Sequence, residues 1–313
     1  MREKDVKTDI VVIGSSNTDM IVKTPYIPLP GETILGGTFN TAAGGKGANQ
    51  AVSCARAGGK VTFVARVGDD MFGEQALRGF RKDGINVDFV VKDGRAPSGV
   101  ALIIVDDKGQ NSIAVASGAN SNLSVPDVEA AADTISSAAF LLMQLEIPIE
   151  TVAAAARMAA DKNVRVILNP APAQPLSDEL LRNVTIITPN ETEASMLTGI
   201  KVEDQASACK AAETLVSKGV KSVIITMGSA GAYVHCDDFR GMVPGFKVEA
   251  VDTTAAGDTF SGTLAVALAE GKTLEQATVF ANAAAALSVT KLGAQPSAPN
   301  RAAIEQFQKE RKR

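Results

Sequence analysis

The chain has 313 residues, 45% of them hydrophobic and 21% charged, with a formal net charge of -4. That balance suits an ordinary soluble protein of about two domains with a large core, and it gives no basic footprint for nucleic acid. Cys54, Cys209 and Cys236 are odd in number and far apart, and His235 is the only histidine, so neither a disulfide framework nor a zinc site fits.

Residues 1–5 lead into a five-residue apolar run too short for a signal-peptide core, and no 18-residue apolar span occurs, so a reducing cytoplasm is the expected location. Ile10-Val11-Val12-Ile13-Gly14 is a continuous apolar run bounded by glycine, the pattern of a strand buried on both faces. Similar runs recur at 61–65, 140–143, 164–168, 185–187 and 223–226, mostly separated by helical stretches. The alternation predicts an α/β protein with a doubly wound, mainly parallel sheet, helices on both faces, and ligands at the carboxyl ends of its strands.

Two segments break this rhythm. Residues 19–23 with 33–42, and 99–105 with 111–116, read as strands joined by turns without helices, hence a small β-sheet inserted twice. The expected division is a nucleotide-binding core of 1–15, 44–97 and 119–313, and a lid of 16–43 and 98–118. Four strands with no covering helix leave an apolar face, around Ile21, Ile34, Leu35 and 102–105, that needs substrate, a second subunit, or both; a homodimer through the lid is expected.

Polar residues gather at the strand ends. Asn17 and Asp19 follow the first strand and Glu146 follows a later one; amides and carboxylates there hold sugar hydroxyls well, although Asp19 also reads as a turn residue and Glu146 as a first-turn acid before Pro148. Ala43-Gly44-Gly45-Lys46-Gly47-Ala48-Asn49-Gln50 opens a helix whose stripe is Ala48, Ala51, Val52 and Ala55. Lys46 is followed by glycine, so this is not a P-loop, and the dinucleotide glycine spacing is missing. Asn190 and Glu193, three apart, share one helix face or form a cap. A glycine turn, Thr226-Met227-Gly228-Ser229-Ala230-Gly231, follows another strand.

Farther on, Phe246, Val248 and Ala250 alternate with Lys247 and Glu249, predicting a strand, while Phe260, Leu264, Ala267 and Leu268 recur at helical spacing until Gly271. At this strand-to-helix turn Ala255, Ala256 and Gly257 offer bare amides and the positive helix end to an anion. Asp258 would repel a phosphate there unless it accepts the proton of an alcohol attacking phosphorus; it also suits a first helical turn for purely structural reasons. A surface helix is expected near 300–312, with the basic end 309–313 solvated.

Asp252-Thr253-Thr254-Ala255-Ala256-Gly257-Asp258, followed by Phe260 and Gly262, resembles the second signature of the ribokinase (PfkB-type) family of carbohydrate and nucleoside kinases, with Ala255 where many members carry glycine. Residues 43–50, with Gly58 and Gly68-Asp69, resemble the first signature, and the likeness runs from Gly14 to Ser297. It implies ATP-dependent phosphorylation of the 5-hydroxyl of D-ribose, with Asn17, Asp19, Gly45, Lys46, Asn49 and Glu146 around the sugar. Asp258 would act at the attacking hydroxyl and Ala255, Ala256 and Gly257 as the anion site. It also implies ATP contacts at Asn190, Thr226, Gly228, Ser229, Gly231 and Gly257, with Asn282 beside adenine. Asn190 and Glu193 would organise Mg²⁺ through water, and Asp252, Thr254, Ser288, Lys291, Gly293 and Ser297 would encircle K⁺ as monovalent activator, mostly through backbone oxygens.

Other readings are a kinase for deoxyribose, another sugar or a nucleoside, a nucleotide sensor without catalysis, or a nicotinamide oxidoreductase. With 4% aromatics and no Trp there is little to stack a base. A sensor would be expected to have lost Asp258 or the glycine turn, and an oxidoreductase would need a Gly-x-Gly-x-x-Gly turn after an early strand.

Overall fold

β1 begins at Ile10 in the computed structural model, which describes residues 9–311; the readings of residues 1–5 and of Lys312 and Arg313 lie outside them. Among the described residues the strands are β1 (Ile10–Ile13), β2 (Asn17–Lys23), β3 (Thr38–Gly44), β4 (Val61–Gly68), β5 (Asn86–Asp93), β6 (Gly99–Val105), β7 (Asn111–Ala116), β8 (Phe140–Met143), β9 (Arg165–Leu168), β10 (Ile186–Ile187), β11 (Ser222–Thr226), β12 (Gly231–His235) and β13 (Arg240–Pro244). Nine form one sheet in the order β13-β12-β11-β10-β9-β8-β1-β4-β5, parallel except for the antiparallel flank β11-β12-β13. This is the expected doubly wound α/β sheet. Three of its strands, β5, β12 and β13, escape the search for apolar runs: β5 and β13 mix apolar with polar or exposed residues, and β12, though buried throughout, is a short stretch of Gly231, Ala232, Tyr233, Val234 and His235.

The adjacent strands β1 and β8 are apolar and buried at every position because both faces are covered. Ile10 and Val12 point to one layer and Val11 and Ile13 to the other. The first layer holds α1 (Lys46–Arg56), α2 (Met71–Lys82), α9 (Ala256–Ala269), α10 (Leu274–Ser288) and α11 (Arg301–Arg311). There Phe63 and Phe80 meet edge to face at 5.2 Å; burying each such ring stabilises the fold by about 1.5–3 kcal/mol. The opposite layer holds α3 (Val125–Ala130), α4 (Ala132–Ser137), α5 (Ile149–Asp161), α6 (Asp178–Arg182), α7 (Glu191–Thr198) and α8 (Gln205–Ser217). Helix α9 is buried almost all round, and its small residues admit α1 closely: a Cβ on Gly262 would lie 2.6 Å from the Gln50 carbonyl oxygen. That approach brings the start of α9 within reach of α1.

The remaining strands form a separate small sheet, β3-β2-β6-β7, in which only β2 and β6 run parallel. Residues 33–37, expected in a strand, are not in one: Lys23 ends β2 opposite Thr38, so nothing remains for them to pair with. The predicted strand at 246–250 is also corrected. The Gly245 amide turns back to the Ala230 carbonyl at 3.2 Å and the chain leaves the sheet; the alternation survives because Phe246 packs on Phe307 while Lys247 and Glu249 face solvent. Val22, Phe39, Leu102, Ile113 and Val115 of the small sheet are exposed, as is Leu35 in the loop beside it. No helix among the described residues is long and apolar enough to cross a membrane.

Candidate active site

The site lies along the carboxyl edge of the large sheet, where Ser15 and Asn17 follow β1, Gln144 and Glu146 follow β8, Asn169 follows β9, and Thr188 and Asn190 follow β10. Asp258 is its centre. It stands in the first turn of α9, behind Ala255, which holds the left-handed conformation (φ 59°, ψ 16°) that glycine adopts without strain. Its carboxylate is only 5% exposed, yet both oxygens are met: Asn49 Nδ2 donates to Oδ2 at 2.9 Å and Gln50 Nε2 to Oδ1 at 3.0 Å. Burial raises its pKa, Glu146 adds to the rise, and Lys46, Asn49 and Gln50 oppose it.

Lys46 opens α1. Burial works against its charge, but Asp258, Glu146 and Glu193 outweigh burial and raise its pKa, so it stays an ammonium among carboxylates. Glu146 Oε2 accepts from the Lys46 amide at 2.9 Å and from Ser15 Oγ at 2.6 Å, so it caps the helix presenting Lys46 and Asn49. Asp19 lies against Gly44, where a Cβ would come 2.4 Å from either carboxylate oxygen. Burial, then Glu146 and Asp258, push its pKa up to about 6. Asn17 Oδ1 accepts from Asn120 Nδ2 at 2.7 Å, and Asn120 also bonds both backbone groups of Ser16. With its oxygen so engaged, Asn17 has its amide hydrogens left to give. Asn49 Oδ1 is buried with no partner among the described residues, which leaves one unused acceptor in the site. Asn17, Ser117, Asn120 and Glu146 help line a cavity of about 510 Å³.

A second cavity, of about 200 Å³, is lined by Lys46, Asn169, Asn190, Glu193, Thr226, Thr253, Ala255, Ala256, Gly257 and Asp258. The helix end and Lys46 make it a place for an anion. The Ala256 amide is partly engaged, donating to the Thr253 carbonyl at 3.3 Å. Asn190 and Glu193 form a reciprocal cap on α7: Asn190 Oδ1 accepts from the Glu193 amide and Glu193 Oε2 from the Asn190 amide, at 2.8 and 2.9 Å. One Glu193 oxygen remains, on a carboxyl whose pKa burial raises despite the Asn190 bond and Lys46; a hard cation would relieve it. Among the described residues no three or more His, Cys, Asp or Glu converge as a metal cage, so a divalent ion here would keep most of its waters.

The Thr226 amide donates to the Pro189 carbonyl at 2.9 Å, which places the turn of Gly228, Ser229 and Gly231 beside α7. Asn282 Nδ2 donates to the carbonyls of Val243 (3.2 Å) and Pro244 (3.1 Å), and Pro244 pairs with Gly231, so Asn282 braces the strand behind that turn. Asp252 accepts from the amides of Thr254 (2.9 Å) and Gly293 (2.8 Å), joining the loop before α9 to the loop after α10. Burial opposes its charge, but these bonds keep its pKa below the usual value. Ser288 and Lys291 sit in one turn, the Lys291 amide donating to the Ser288 carbonyl at 3.1 Å, and the Ser297 hydroxyl donates to the Ala294 carbonyl. Asp252, Thr254 and Gly293 are thus directly joined, while Ser288, Lys291 and Ser297 complete the neighbouring turns.

Sequence reasoning missed Gln50, Gln144, Asn169 and Asn120. The first three carried a signal, since Gln50 continues the glycine-turn helix past Asn49, and Gln144 and Asn169 each stand directly after an apolar strand. Asn120 carried none.

The chain matches the pfkB family of carbohydrate kinases over residues 7–301. It is similar to a ribokinase of Haemophilus influenzae, 46% identical over 302 residues that cover 96% of this chain and 99% of that one. It is also similar to a deoxyribokinase of Salmonella typhi, 40% identical over 300 residues covering 96% and 97%. Among solved structures it resembles the ribokinase of Arabidopsis thaliana complexed with ribose and ATP, with a TM-score of 0.88, 36% identity, and 96% and 98% of the two chains covered.

Proposed function

The chain belongs to the pfkB family of carbohydrate kinases, and we propose that this ATP-dependent sugar kinase transfers the γ-phosphoryl group to the 5-hydroxyl of D-ribose, giving D-ribose 5-phosphate. The observation that carries this reading is Asp258: a buried carboxylate held by two amides, placed between an anion-binding helix end and a cluster of polar groups suited to hydroxyls.

In this reading Asn17 donates to a sugar hydroxyl, Asn49 Oδ1 and Asp19 accept from others, and Gly45, Lys46 and Glu146 complete the wall. The 5-hydroxyl gives its proton to Asp258 while its oxygen bonds to the γ-phosphorus, and the bond to the leaving ADP oxygen breaks. The Gly257 amide, with those of Ala255 and Ala256, and the Lys46 ammonium meet the charge on the transferring group. Asn190, Thr226, Gly228, Ser229 and Gly231 face the nucleotide, and Asn282 holds the wall beside its base. Asn190 and Glu193 would hold Mg²⁺ through water, and that ion supplies neutralisation of phosphate charge. Asp252, Thr254, Ser288, Lys291, Gly293 and Ser297 would hold K⁺, which braces the two loops that Asp252 already ties.

The reading extends to a lid of residues 16–43 and 98–118 over a core of 1–15, 44–97 and 119–313, a homodimer through the exposed strands of that lid, no nucleic-acid or membrane partner, and a reducing, cytoplasmic setting in keeping with three unpaired cysteines. The deciding experiment is ADP release across a panel of sugars. The similarity to a deoxyribokinase makes 2-deoxyribose the informative competitor: if it is the better substrate, it replaces ribose, and if neither turns over, the assignment fails.

A further inference from the structure

Gln50, Gln144 and Asn169 are buried polar side chains with no part in the transfer as described above, and what joins them leads to Asp258. The Thr188 carbonyl can only accept, so Asn169 turns its Nδ2 toward it at 3.0 Å and its Oδ1 toward Gln50. Gln50 Nε2 then donates both hydrogens, to Asn169 Oδ1 at 3.1 Å and to Asp258 Oδ1 at 3.0 Å. Its Oε1 accepts from Gln144 Nε2 at 2.5 Å. Reversing the Gln50 or the Asn169 amide would set acceptors face to face, so the hydrogen-bond pattern itself fixes which way each points. The ring closes on the helix that carries the base, because Thr188 Oγ1 and Ser261 Oγ are 3.1 Å apart and Ser261 is one turn beyond Asp258.

From this geometry we infer that Gln50 is a positioning residue for the catalytic base: it presents a fixed N–H to Asp258 Oδ1 while Asn49 holds Oδ2, which locks the carboxylate's rotation and favours its charged form. The inference rests on the kinase reading for Asp258's role, although the hydrogen-bond ring does not. Buried amides are expensive where a donor or acceptor goes unused; the Gln50 amide is used completely, while Gln144 Oε1 is left without a partner among the described residues, so the satisfied centre of the group is Gln50. The charged groups that also face Asp258 are Lys46 of α1, Glu146 after β8, Glu193 of α7 and Asp19 of β2. Lys46 is the only cation among them, so an oriented neutral donor contributes what a second cation would otherwise have to supply.

The test is the pH profile of kcat in Gln50→Leu and in Gln50→Met, the latter unbranched like the parent side chain and a second route to a folded protein if the leucine variant does not fold. Removing one N–H from a carboxylate should move the acid limb upward by about one to two pH units. Activity should recover on the alkaline side, and sugar KM should stay within about threefold because the substrate contacts are untouched. An equal loss at every pH with the limb in place would mean a packing role only and would overturn the inference. Carbon-13 titration of the Asp258 carboxyl, assigned by its absence in Asp258→Asn, separates this from the kinase reading. An unchanged midpoint in both Gln50 variants overturns the positioning role whether or not any sugar is phosphorylated, whereas a raised midpoint without sugar turnover supports it and overturns the kinase reading alone.

Discussion

Replacing Asp19 with asparagine removes a charge that the fold holds against its own stability. The carboxyl rises from 3.8 to about 6 in the folded chain, through burial and then the neighbouring Glu146 and Asp258. A rise of about 2 pH units corresponds to ~3 kcal/mol. Because the folded pKa lies above the unfolded one, this contribution stabilises the protein fully below about pH 3.8 and is lost as pH climbs through about 6. At pH 8 the sugar-free enzyme therefore bears the whole penalty, and Asp19→Asn should relieve part of it, leaving a buried amide to satisfy. A net gain of about 1–2 kcal/mol raises the Tm of a chain this size by roughly 1.5–3 °C. Thermal denaturation from pH 4 to pH 8 without sugar should show the variant melting higher at pH 8, with the gap closing toward pH 4. A gap of equal size at both ends, or a less stable variant at pH 8, would refute the argument. The same substitution should weaken sugar binding, so stability and function are traded at one side chain.

Asp258→Asn should lose about 10²- to 10⁴-fold in kcat while nucleotide binding persists; turnover within a few-fold of the parent would remove Asp258 from the mechanism. Ribose should be preferred to 2-deoxyribose by about 10- to 100-fold in kcat/KM, and Asp19→Ala should narrow that gap, since a site built for a hydroxyl keeps an unpaired group when the hydroxyl is missing; a variant with the parent's preference would dissociate Asp19 from sugar choice. Dialysis into potassium-free buffer should depress kcat or nucleotide affinity with sugar affinity unchanged, and equal rates with and without potassium would dismiss the cation site at Asp252. Sedimentation at micromolar concentration should show a dimer that Leu102→Glu with Ile113→Glu disperses; a parent that sediments as a monomer defeats the lid interface.

Much of this was legible because it follows local rules. Runs such as Ile10-Val11-Val12-Ile13 can be recognised as buried strands without knowing their neighbours, and Asp258 stands out because a carboxylate in an anion-binding turn is unexpected. What escaped depends on partners. Residues 246–250 alternate correctly yet have no strand to pair with, and β12 and β13 belong to a sheet edge whose pairing no local pattern announces. Gln50 reaches Gln144, Asn169 and Asp258 across 94, 119 and 208 positions, and polar contacts of that range leave no periodic trace. The cap formed by Asn190 and Glu193 was open to two readings because a capping pair and a cation-binding pair share the same spacing; the hydrogen bonds show the cap, and one Glu193 oxygen is left for other work.

The small sheet has a further consequence, for the order in which the chain acquires its structure. Its only parallel pair sets Asn17 beside Gly99, so strands β3, β4 and β5 and helices α1 and α2 must all be traversed between the two partners. Until β6 emerges during synthesis, β2 and β3 are an isolated hairpin, which is marginal by itself in water. Closing so long a loop costs entropy before any contact compensates for it, so high contact order makes this sheet a late event on the folding route. The nascent chain therefore leaves the edge of β2 that later pairs with β6 open for the whole interval. In a cell, a chaperone that holds such a waiting strand edge would act on this sheet before the rest of the fold needs it.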